Sequence, residues 1–150
     1  MIEFGLERIE RGMYPYVRVV WGAVGAAVAV ATVAGCGPVT DRGDAAAAVT
    51  MRMMSAVTAK DGPAACALLA PDTAAELEQS ADKPCAEAIL EEDLPGPGSV
   101  SGSRVYGQWA QVQLSGDMVF LAVFPGGWRV VAVGCTARGD GPYDCVLQGG

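Results

Sequence analysis

The stretch DLPGPGSVSG, Asp93 to Gly102, separates two parts of the chain whose apolar residues repeat with different periods. Before it, Val49, Met53, Ala56 and Val57 fall at the i, i+4, i+7, i+8 spacing of one helix face. After it, Ala110, Val112 and Leu114 alternate with Gln111 and Gln113. That is the two-residue period of an antiparallel strand buried on one side. Helices followed by a strand meander predict an α+β domain, with N-terminal helices packed on one face of a curved antiparallel sheet.

Punctuation residues sharpen this division. Asp44 stands where an N-cap is wanted for a helix from Ala45 to Lys60, and Asp61-Gly62-Pro63 marks its end. Ala64 to Ala70 reads as a short buried helix carrying Cys66. Thr73 and Glu76 have capping-box spacing for the next helix. Pro84 suits the first turn of another, with Ala86, Ile89 and Leu90 as its buried stripe. Met118 to Phe124 is apolar on both faces and is predicted to lie centrally; the turn Ser115-Gly116-Asp117 leads into it. Trp128 to Cys135 follows a Pro-Gly-Gly turn, while Ser103–Gly107 and Cys145–Gln148 supply further strands, the last at an edge. Trp109, Phe120, Phe124 and Trp128 are expected in the sheet core. A sharper reading has them, with Tyr106, lining an apolar pocket for a lipid or small molecule.

The chain's net charge is −7, and all of it arises from Cys36 onward, because three Arg and three Glu cancel in the first 35 residues. An acidic domain is repelled by nucleic acid, so nucleic-acid binding is excluded as a function. There is no histidine, which removes Ser-His-Asp and Cys-His catalysis and histidine-ligated metal sites. No metal or cofactor is implied. Tyr106, Asp117 and Tyr143 are the candidates for proton transfer, but each has an ordinary turn or packing role, and no pair of acids has the spacing of a coupled dyad. A non-enzymatic role is therefore expected.

Arg18 precedes VVWGAVGAAVAVATVA, a 16-residue apolar run from Val19 to Ala34, and Gly35 then precedes Cys36. A basic start, an apolar middle and small residues before a cleavage point are the parts of a secretory signal. The tetrapeptide VAGC, Val33 to Cys36, resembles the lipobox of bacterial lipoproteins. In that family the cysteine thiol receives a diacylglycerol and a peptidase cuts before it. The resemblance implies a signal peptide over residues 1–35, cleavage between Gly35 and Cys36, and lipidation of Cys36. It also implies a lipid-anchored domain on the extracytoplasmic face of the cell membrane. The opening MIEFGLERIERG is acidic for a signal, and Met13 is the better initiator. The uncharged stretch from Val19 to Thr40, 22 residues, is just long enough to span a bilayer as a helix, which is the competing reading. Cys36 to Gly43 reads as a tether, eight residues reaching at most about 26–29 Å, and residues 44–150 as the extracytoplasmic domain.

Cys66, Cys85, Cys135 and Cys145 are an even number in a chain read as exported, which predicts two disulfides. A zinc or redox site would want C-x-x-C spacing, and there is none. Four cysteines permit three pairings. Cys66–Cys85 and Cys135–Cys145 are favoured, because each pair lies within one half of the chain and closes a short loop.

Helices first and an antiparallel meander after resembles the cystatin-like cone of the nuclear-transport-factor-two superfamily. GWRVVAVGC and PYDC, within Gly127 to Cys145, resemble the C-terminal signature of small actinobacterial lipoproteins. The first likeness implies a strand interrupting the helices, and the sequence pattern shows no clear one. The lipobox-like VAGC, the even cysteine count and the lack of catalytic chemistry lead to the expectation of an envelope protein that binds another envelope protein or a small apolar ligand. An isomerase- or cyclase-type enzyme of the cone class is the more distant alternative.

Overall fold

The computed structural model describes residues 38–149. Cys36, Gly35, the apolar run and most of the competing membrane-spanning stretch lie outside the described residues. Among the described residues, no helix is long and apolar enough to cross a membrane.

Four helices come first: α1 (Val39–Thr58), α2 (Gly62–Cys66), α3 (Pro71–Ala81) and α4 (Cys85–Ala88). Five strands follow: β1 (Val100–Tyr106), β2 (Trp109–Leu114), β3 (Met118–Phe124), β4 (Gly127–Cys135) and β5 (Leu147–Gln148). They form one antiparallel sheet in the order β1-β2-β3-β4-β5. The fold is thus α+β, with β3 at the centre as its two-sided apolar pattern requires. Ala110, Val112 and Leu114 of β2 meet Val119 and Leu121 of β3 and Val130 and Val133 of β4 in the core. The helices supply Ala46, Val49, Met53, Met54, Leu77 and Ile89 to it.

α1 begins at Val39, earlier than an Asp44 cap predicts. Pro38 is its N-cap, Arg42 N–H donates to Pro38 O at 3.3 Å, and Asp41 places a carboxylate in the first turn, where the helix dipole favours it. Val39 to Gly43, read as tether, are therefore helical and rise only about 1.5 Å per residue. The buried stripe Gly43, Ala46, Val49, Thr50, Met53, Met54 continues the helical period back past Asp44. α1 closes on a Schellman motif: Asp61 N–H donates to Ala56 O at 2.8 Å and Lys60 N–H to Val57 O at 3.0 Å. Lys60 takes the left-handed conformation, φ +57°, that glycine usually fills. Asp61 belongs to the next helix instead, and its Oδ1 accepts from Ala64 N–H at 3.0 Å.

Thr73 is likewise not a cap. Ala70 is the N-cap of α3 and Pro71 opens the helix, so Thr73 is carried inside. Its hydroxyl donates to Val131 O at 2.9 Å. α4 starts at Cys85 with Pro84 as its N-cap, and Glu78 Oε1 accepts from Cys85 N–H at 2.9 Å. The acidic run Glu91 to Asp93 is partly engaged, since Lys83 Nζ lies 2.6 Å from Glu91 Oε2.

β4 carries two register shifts against β3, between Met118 and Phe120 and between Phe120 and Leu121. In each the β4 side has the extra residue, which bends the strand and turns a carbonyl out of the ladder. Its far edge is filled in sequence. Val130 N–H donates to Leu68 O at 2.9 Å, Ala70 N–H to Val130 O at 2.7 Å, and Gly149 N–H to Val131 O at 3.0 Å. β5 then pairs with Ala132 and Val133, and Thr136 with Asp144.

Both favoured disulfides are present, Cys66–Cys85 joining α2 to α4 and Cys135–Cys145 closing the last loop. Beside the first, α2 and α4 pass so closely that a Cβ on Gly62 would sit 1.8 Å from Ala86 O. Gly62→Ala must push two backbones apart and is expected to cost about 1–3 kcal/mol. Lys60→Gly, which relieves a left-handed lysine, is expected to stabilise by about 1 kcal/mol. Urea unfolding of the two variants beside the parent tests both; equal midpoints for all three would refute this packing.

Candidate functional site

Strand parity decides where the aromatic residues go. Trp109 precedes Ala110 and therefore shares a face with Gln111 and Gln113, away from the helices. It is 55% exposed, and Tyr106, its partner across β1 and β2, is 57% exposed. Phe120 pairs with Gln111 on the same outer face, where the Tyr143 ring meets it edge-on at 5.1 Å between centroids. Phe124, opposite Gly127, is half-buried near the far end of β3. Trp128 alone of the five turns toward α1, with the Arg42 guanidinium 5.4 Å from its ring centre.

The residues expected to line one pocket thus divide between the two faces of the sheet, and no aromatic residue among those described is fully buried. The core expected to hold them is built chiefly of Ala, Val, Leu, Ile and Met, with Cys85, and of the five aromatic residues Trp128 alone packs against it, half-buried.

Of the three proton-transfer candidates, Asp117 and Tyr143 come together and Tyr106 does not. Asp117 and Tyr143 line an open cleft of about 360 Å³ with Gln113, Met118 and Thr136. Tyr106 borders a different cleft, of about 390 Å³, with Val39, Thr40, Asp44 and Arg104. Asp117 is buried although it sits in a hairpin turn. Its Oδ1 accepts from Cys135 N–H at 2.6 Å, and its main-chain oxygen accepts from Leu114 N–H at 2.9 Å. Its Oδ2 is sealed from solvent and has no hydrogen-bond partner among the described residues. Burial holds the carboxyl above its ordinary value of 3.8, against the opposing pull of main-chain N–H groups at Cys135, Met118 and Gly134. The sequence held no sign of this, because the partner strand end lies 18 residues further on.

Charge is also distributed unevenly. From Pro38 to Ser99 there are eleven acidic and four basic side chains, whereas from Val100 onward three of each balance. The helical half therefore carries the whole −7, and the strand half is neutral. Arg104 and Arg129 belong to the outer face of the sheet, Arg129 reaching the carbonyl of Ala67. In the last loop Arg138 pairs with Asp144.

Comparison of the chain with protein families, with characterised proteins and with solved structures finds no match in any of the three. The chemistry of the site therefore rests on its own geometry.

Because the folded chain holds the Asp117 proton more tightly than the unfolded chain does, stability falls as pH rises from 3.8 through the raised folded value. Asp117→Asn keeps an oxygen acceptor for Cys135 N–H and abolishes the titration. The parent should accordingly gain stability relative to the Asn variant as pH is lowered toward 4, and lose it toward 7. Asp117→Ala leaves the Cys135 N–H without a partner and should cost about 1–3 kcal/mol. Parallel stability–pH curves for the parent and the Asn variant would contradict the burial of this carboxyl.

Proposed function

We propose that the chain is a lipoprotein held by acylated Cys36 on the extracytoplasmic face of the cell membrane. Residues 1–35 are its signal peptide, and the folded domain is a non-enzymatic binding or interaction module of the envelope. The observation that carries this reading is VAGC at the end of a 16-residue apolar run. Two disulfides in a domain this small fit an oxidising compartment outside the cytoplasm. With the helix beginning at Val39, the tether shrinks to Cys36, Gly37 and Pro38, and the domain stands close to its anchor.

The architecture is in keeping with the cystatin-like cone. Helices precede a bent antiparallel meander, and Leu68–Ala70, between α2 and α3, hydrogen-bonds to β4 as an interrupting strand would. An apolar-ligand carrier needs its aromatic side chains gathered round an enclosed space. Here Trp109 and Tyr106 are out in solvent and Trp128 is on the opposite face, which favours an interaction module.

A second reading, proton-transfer chemistry, has one observation in its favour: the buried Asp117 carboxyl shares a cleft with Tyr143. Its unpaired oxygen is closed to solvent, so no substrate atom reaches it without movement of the β2–β3 hairpin. The bond to Cys135 N–H gives the same carboxyl a structural task, tying that hairpin to the end of β4.

Cys36→Ala tests the leading reading. The variant should accumulate as uncleaved precursor and lose the acyl anchor, as fractionation and anti-domain blotting of the native host would register. A Cys36→Ala chain processed and membrane-bound like the parent would overturn it.

A further inference from the structure

Four exposed apolar side chains, coming from four separate elements, collect at one end of the domain. Val39 is 66% exposed in the first turn of α1, Tyr106 and Trp109 flank the β1–β2 turn, and Val123 lies near the end of β3. Several contacts hold this end together. Arg42 Nη2–H donates to Gly107 O at 2.6 Å, joining α1 to the β1–β2 turn, and the same guanidinium lies over Trp128. Val39 and Tyr106 border one cleft. Tyr106 faces Trp109 across the strands, and Val123 N–H donates to Gln108 O at 2.9 Å. Packing does not require these side chains to be apolar, since each is exposed and none of the four belongs to the core or packs against it.

This is also the end at which the chain enters the fold. Only Gly37 separates Cys36 from Pro38, and two residues of extended chain reach about 7 Å. Resting on the lipoprotein reading, we propose that this end lies against the lipid surface to which Cys36 is anchored, with Tyr106 and Trp109 at headgroup depth. Tyr and Trp suit that depth, because each ring has an apolar body and a polar edge, and both are enriched at membrane–water boundaries. Asp41 and Asp44, also near this end, are exposed on α1 and stay solvated at the rim. The acids of α3, α4 and the run Glu91–Asp93 belong to the rest of the helical half. The lipid chains hold the molecule to the bilayer, and the aromatic end sets which way the domain points.

A chain cut before Cys36 contains two tryptophans, Trp109 and Trp128. The membrane-extracted protein, its acylation checked by mass, is reconstituted in phosphatidylcholine vesicles containing lipid brominated near the headgroup end of the acyl chain. Fluorescence is then quenched by the bromines from the lipid side and by acrylamide from the water side. Trp128→Phe isolates Trp109, and Trp109→Phe, at an exposed position, leaves Trp128 and serves as the control. The expected result is bromine quenching and acrylamide shielding of Trp109, with the bromine quenching largely lost in Trp109→Phe.

Free access of acrylamide to Trp109 in acylated protein, without bromine quenching, overturns the inference and leaves the anchor standing. Shielding from acrylamide without bromine quenching assigns this end to a second copy of the chain and overturns it equally. A chain that carries no acyl group overturns the lipoprotein reading and this inference with it.

Discussion

The two halves of the fold meet on the main chain of β4. On one side it forms the ladder with β3; on the other its N–H and C=O groups need partners that a five-strand meander does not provide until β5. Leu68 and Ala70 supply them at Val130, and Thr73 and Gly149 both donate to the carbonyl of Val131. An unpaired buried main-chain group costs about 1–3 kcal/mol, so this edge fixes where α2 and α3 sit as firmly as the apolar core does. The bulges that bend β4 are what turn the Val131 carbonyl toward α3.

The disulfides reinforce this joint from both sides. Cys66–Cys85 holds α2 against α4, at the close passage that Gly62 makes possible, and Cys135–Cys145 holds the last loop so that β5 can return along β4. Each is worth about 2–4 kcal/mol in a domain of this kind, a large share of its net stability. Because helices cover only one face of the sheet, the other face is left to water and to Tyr143 over Phe120. The molecule therefore has an acidic helical side and a neutral, partly aromatic sheet side.

Much of this was legible in the sequence. The change of period at Asp93–Gly102 placed helices before strands, the alternation at Ala110, Val112 and Leu114 identified the buried face of β2, and local spacing picked out both cysteine pairs. The misreadings occurred where tertiary contacts outweighed local preference. Asp44 looked like a cap, but the buried stripe runs back to Gly43 and Pro38 opens the helix. Thr73 had capping-box spacing, yet its hydroxyl is used by Val131, 58 residues away. Trp109, an aromatic residue on a strand, suggested the sheet core, although the parity set by Ala110 already turns it outward. Asp117 is the opposite case: its burial depends on the end of β4 closing over a hairpin turn, and no local pattern announces that.

Charge, cysteine chemistry and the apolar leader point the same way. An acidic domain gains nothing electrostatically from an anionic bilayer, so the membrane attachment proposed for this chain has to come from acyl chains rather than from charge. The central claim is that residues 1–35 are removed and Cys36 becomes an acylated terminus. The most direct test is the intact mass of the protein extracted from membranes of its native host, before and after reduction. The expected product begins at Cys36, carries a diacylglyceryl adduct, and gains four hydrogens on reduction of its two disulfides. A full-length chain without the adduct would contradict it and would make residues 19–40 the anchor.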